Sequence, residues 1–128
     1  MKRSIFFLLA SILGLLFGGM MLLVPEKAAE GFGLVASSES ALLIRSMGGM
    51  ITAAAVLNFL VRHHPDSTTL AAVLIFNIVF HAFGLLADLI GLSQGIIMLN
   101  KIIGGQVAHL FVGIGSLIYL MKIKNKAA

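Results

Sequence analysis

Four ionisable side chains sit inside otherwise apolar stretches of this sequence: Arg45, His81, Asp88 and His109. Each costs about 3 kcal/mol or more at the centre of a lipid-spanning helix, so such groups are rare there and call for partners. Asn77, His81, Gly84 and Asp88 are spaced i, i+4, i+7, i+11, which puts them on one helical face. Gln106, His109, Gly113 and Ser116 form a similar stripe, and Arg45, Gly48, Gly49 and Thr52 share a third face. Two histidines on facing helices at one depth have two uses. They can be neutral side chains hydrogen-bonded across a bundle, or axial ligands of a b-type haem whose flat macrocycle fits beside small residues. His109 has Gly105 and Gly113 a turn away on either side, and His81 has Gly84. Arg45 and Asp88 can form an ion pair between helices, or Arg45 can bind an anionic or carbonyl group of a ligand. A zinc site would want further ligands at the histidines' depth, and Asp88 lies about two turns from His81, so no metal site is expected. His63 and His64 fall in a polar turn and read as solvated, and Asn58 faces away from Arg45 with no role assigned.

The elements that carry these groups follow from composition. The chain is 59% hydrophobic and 11% charged. Soluble domains carry about 25% charged residues, so the polar surface of a water-soluble fold is missing. A helix crossing the hydrocarbon needs about 20 mostly apolar residues. Four such runs occur, over 4–24, 41–62, 68–90 and 102–121. The expectation is an all-α, four-helix transmembrane bundle forming one domain over residues 1–128. The first run exceeds the usual signal-peptide core of about 7–15 residues and no small-x-small site follows it, so it is expected to be retained. Pro25 is expected to end it, with a loop reaching Ser40. "HHPDS" reads as a tight turn in which Asp66 or Ser67 caps the third helix. Gly91 is expected to end that helix.

Lys and Arg concentrate on the cytoplasmic side of membrane proteins. Lys2, Arg3, Arg62, Lys122, Lys124 and Lys126 fall at one set of helix ends, whereas Lys27 and Lys101 are offset by Glu26, Glu30 and Glu39. Both termini are therefore expected in the cytoplasm, with the protein crossing a bacterial inner membrane several times. No basic patch with interleaved aromatics lies outside the apolar runs, so no nucleic-acid partner is expected. The absence of cysteine excludes disulfides, thiolate metal sites and dithiol redox chemistry. Small residues at Ala10, Gly14 and Gly18, at Gly49 and Ala53, and at Gly105 and Gly113 mark close-packing faces of a bundle or homo-oligomer. The first helix carries no ionisable group and is expected to face lipid or a partner.

A rise of 1.5 Å per residue places His81 and His109 roughly 2–5 Å to the outer side of the midplane, and Arg45 and Asp88 about 10–12 Å above it. An outward pocket lined by Arg45, Thr52, Asn77, His81, Asp88, Gln106 and His109 is the resulting expectation, with Arg45 paired to Asp88 and His81 facing His109. "LIRSMGGM" opening the second run, the proline after the first helix and "ADLIG" in the third resemble small DoxX-like membrane proteins, an uncharacterised branch of about this length. The resemblance implies a four-helix fold. It does not choose a function, because relatives are associated with thiosulfate or quinone oxidation or with receptor assembly. The leading expectation is a non-enzymatic membrane protein. It would bind a small amphipathic molecule (a lipid, a quinone or similar) without a cofactor, or dock a partner membrane protein. The alternatives are a haem b redox protein using His81 and His109, and a proton, ion or small-solute transporter.

Overall fold

A computed structural model describes residues 1–127, with side chains described through Ile123. It is all-helical: α1 (Arg3–Leu23), α2 (Pro25–Phe32), α3 (Ser38–Val61), α4 (Thr68–Ser93) and α5 (Leu99–Ala127). By length and composition α1, α3, α4 and the Leu99–Ile123 part of α5 can each cross a membrane. Apolar side chains on all four, among them Leu16, Leu60, Phe83 and Val107, face outward, as a lipid solvent allows. The side chains of Lys124 and Lys126, counted above with the basic end, lie outside the described residues.

Three polar stretches behave differently from the sequence expectation. Pro25 opens a helix where a loop to Ser40 was expected. Proline suits the first helical position, where its missing N–H bonds nothing. Gly33, at φ 81°, closes α2 in the left-handed conformation. Residues Ser38–Ser40 belong to α3, because Ser37 and Ser40 form a reciprocal capping box: the Ser40 amide donates to Ser37 Oγ at 3.2 Å and the Ser37 amide donates to Ser40 Oγ at 2.9 Å. Gly91 does not stop α4, which runs on to Ser93 before Gly95 at φ 68°. An interior glycine costs only about 1 kcal/mol relative to alanine, too little to end a long apolar helix. Ser67 caps α4 as expected, accepting from the Leu70 amide at 3.1 Å.

α1 packs along α3, and α4 along α5. The first pair is set by glycine. A Cβ at Gly48 would lie 2.8 Å from the Gly18 carbonyl oxygen and 2.9 Å from the Leu22 nitrogen, and one at Gly14 would lie 2.7 Å from the Ala55 Cβ. The backbones thus approach as closely as small residues permit. The glycine stripe of α1 packs on α3, while Leu8, Leu15 and Leu16 on its other side are exposed. The face that α3 offers is turned from the one expected. Gly48, Thr52 and Ala55 meet α1, whereas Gly49 is nearly free of neighbours and Ala53 is exposed.

The termini and the α3–α4 turn share one end of the molecule. Arg3 forms an ion pair with Asp66 and donates to the His64 carbonyl at 2.6 Å, and the Tyr119 hydroxyl donates to the Met1 carbonyl at 2.8 Å. The main core lies towards this end and includes Phe6, Phe7, Leu70, Leu74, Val112 and Leu120. A second, separate cluster of Met21, Ala28, Ala29 and Ile44 joins α1, α2 and α3 at the other end. The buried residues of α4 are Leu70, Val73, Leu74 and Asn77, so its second half leaves the core altogether. α3 and α4, expected as antiparallel neighbours, meet only over a short stretch beside their turn.

Gly48→Ala is expected to destabilise the bundle by about 1–3 kcal/mol, because backbone atoms must move to admit the methyl group. Gly49→Ala is expected to be neutral or slightly stabilising. Equilibrium unfolding of both variants in mixed detergent checks the difference.

Candidate functional site

α4 and α5 bring two histidines into contact. His81 Nδ1 and His109 Nδ1 are 2.8 Å apart, so one ring donates to the other. The ring centroids are 5.1 Å apart with planes at 61°. The His109 imidazole rests against Gly84 of the opposite helix, and the His81 Cβ lies beside Gly113. A Cβ at Gly84 would lie 2.6 Å from His109 Nε2, and one at Gly113 would lie 3.5 Å from the His81 Cβ. Gly84 therefore seats the His109 imidazole, whereas a Cβ at Gly105 would meet no atom within 4 Å. Phe80 closes one side, edge-on to His81 at 5.4 Å between centroids. With both Nδ1 atoms engaged, each ring keeps Nε2 for another partner, and one proton of the pair can be held on either ring.

Two imidazoles sharing one haem iron would stand further apart than this. Metal–imidazole bonds of about 2 Å on each side would hold the ligating nitrogens about 4 Å apart, with iron between them. Here the rings touch directly, and the space that small residues offered to a macrocycle is taken up at Gly84.

One layer further from the termini, Gln106 Nε2 donates to Asp88 Oδ2. Asp88 lies seven residues beyond His81 on α4, and Gln106 three residues before His109 on α5, so the layers stack along one seam between the helices. All four side chains are half-buried. Asp88 takes one charge-assisted bond from an amide, which leaves the rest of its acceptor capacity for a further donor.

The other expected pocket residues stand elsewhere. Arg45 does not pair with Asp88. It is exposed, and its Nε donates to the Leu22 carbonyl at 3.2 Å, at the C-terminal end of α1. A cation there satisfies a terminal carbonyl and complements the helix dipole. The physical reason is rotation: Arg45 shares a face with Gly48, and Gly48 is committed to α1. Thr52 follows the same face. It packs against Gly18, and its hydroxyl is buried with no partner among the described residues. Asn77 is 1% exposed and paired with Asn58: Asn77 Nδ2 donates to Asn58 Oδ1 at 2.7 Å and Asn58 Nδ2 donates to Asn77 Oδ1 at 3.3 Å. This pair ties α3 to α4 beside their turn. Asn58 is the residue the sequence reading passed over. Its signal was a lone amide in an apolar helix, which needs a partner on a neighbouring one.

In a double-mutant cycle, Asn58→Ala and Asn77→Ala are expected to couple by about 0.6 kcal/mol, and by no more than about 1.7. Either single change should destabilise by about 1–3 kcal/mol, because it orphans the other buried amide. Strictly additive effects would show that the two amides do not act as a pair. No family model, curated protein or solved structure matches this chain.

Proposed function

We propose that this chain is a DoxX-like, non-enzymatic protein of a bacterial inner membrane that binds a small amphipathic molecule, lipid- or quinone-like, at the α4–α5 seam. The observation that carries the reading is where the seam lies. His81, Asp88, Gln106 and His109 converge in the half of the bundle where α4 contributes no buried residue. Polar groups gathered away from the core, among apolar side chains, are the usual make-up of a small-molecule site. The imidazole Nε2 atoms and the Asp88 carboxylate offer a donor and acceptor set to a polar head. The lipid-facing flanks of α4 and α5 offer an apolar surface to its tail.

Orientation follows from charge. Lys2, Arg3, Arg62 and Lys122 sit at the end shared by the termini, and the opposite end mixes Lys27 and Lys101 with Glu26, Glu30 and Glu39. The basic end is the cytoplasmic one by the positive-inside rule, so the seam opens outward.

Titration of the detergent-purified protein with a decyl-tailed benzoquinone tests the reading. His81→Ala and His109→Ala are expected to weaken binding by about tenfold, the loss of one good buried hydrogen bond. Arg45→Ala and Thr52→Ala, on the α1–α3 side, should leave it unchanged. Equal affinity in the wild type and both histidine variants would refute the assignment.

A further inference from the structure

On another face of the molecule, α5 and the start of α1 enclose an open groove of about 570 Å³. That volume lies within the range of ligand-holding clefts, about 300–1,000 Å³. Its floor is Val107, Leu110, Ile114 and Ile118, spaced i, i+3, i+7, i+11 along one face of α5. The Phe6 ring forms a wall and packs into the notch at Gly115. Lys122 lines the end beside the termini. From Val107 to Lys122 the groove follows α5 for about 22 Å at 1.5 Å per residue. This exceeds the depth of one leaflet's hydrocarbon, half of about 30 Å.

We propose that this groove holds an acyl chain of an anionic phospholipid, with the headgroup at Lys122. The apolar floor runs without a polar break, so it suits a hydrocarbon chain rather than a polar ligand. Charge complementarity selects the headgroup. Among the described residues Lys122 has no carboxylate partner, the ion pair there being Arg3 with Asp66. Its Nζ lies 5.3 Å from the Tyr119 ring centroid, and Tyr119 is itself tied to the Met1 carbonyl, so the ammonium is held at the mouth of the groove. Lys2, exposed and adjacent in sequence to Met1, adds a second cation at that end. A phosphate carrying net charge gains from both cations, whereas a zwitterionic headgroup also presents its own ammonium to them.

The test is native mass spectrometry of the delipidated protein with phosphatidylglycerol and phosphatidylcholine of identical chains. The first lipid bound is expected to favour phosphatidylglycerol by about fivefold, the preference one lysine near a charged headgroup confers. Lys122→Gln should bring the ratio close to one. Leu110→Trp and Val107→Trp fill the groove at positions that already face outward, and each should reduce binding of both lipids. Equal affinity for the two lipids in the wild type would overturn the proposal. So would a preference untouched by Lys122→Gln, or first-lipid binding unchanged in both tryptophan variants.

Discussion

The contact between Gly18 and Gly48 governs most of what the rest of the chain does. In lipid there is little hydrophobic gain in bringing two apolar helices together, since acyl chains are as apolar as leucine, and association relies on tight packing and polar pairs. Here the carbonyl of Gly18 lies where a side chain on Gly48 would go. That closeness fixes the rotation of α3 about its axis. Once Gly48 faces α1, Thr52 and Ala55 must face it too, and Arg45 is carried to the exposed end of α1 at the Leu22 carbonyl. Arg45, the ionisable residue inside the apolar part of α3, is therefore turned away from α4.

The α4–α5 pair solves the same problem by different means. It has the His109 ring seated at Gly84, a direct imidazole pair and an amide–carboxylate bond. Polar groups in a spanning helix are costly alone, and these satisfy one another across one interface. The two helix pairs are then joined mainly beside the termini, by the aromatic-rich core around Phe6 and Phe7, the Asn58–Asn77 pair and the Arg3 bridge to the α3–α4 turn. Away from that end the joins are sparser: the α2 cap at Gly33 lies beside Lys101 of α5, and Phe17 of α1 lies beside Gly104 of α5. The result is a bundle whose main core lies at its basic end, with the aspartate layer further from that end and the histidine layer between.

The spans and the meeting of His81 with His109 were legible because both follow from local rules: run length for the spans, and helical spacing with rise per residue for the histidines. The Gln106–Asp88 bond was half legible, since both residues were expected in one pocket but spacing could not pair them. What escaped was rotation. Phase groups Arg45 with Gly48 and Thr52, yet it cannot say whether that face looks at α1 or α4. A misjudgement of one residue, taking Gly49 for the packing glycine, went with the misplaced Arg45–Asp88 pair. α2 was hidden for another reason. Its composition is polar enough to read as loop, and its proline is equally at home ending one helix or beginning the next.

The proposed site at the seam between α4 and α5 requires that the seam open on the side opposite the termini. The chain has no cysteine, so single cysteines report without background. Gly105 lies on the same face of α5 as His109, and a Cβ there meets no atom within 4 Å, so Gly105→Cys places a thiol in open space beside the seam. The decisive measurement is its labelling by a membrane-impermeant maleimide in intact spheroplasts, beside Lys2→Cys as the marker of the basic end. Labelling of Gly105→Cys from outside is expected, with Lys2→Cys reached only after the membrane is broken. Labelling of Gly105→Cys only from the side of Lys2, or only after detergent extraction, would contradict an outward-opening seam.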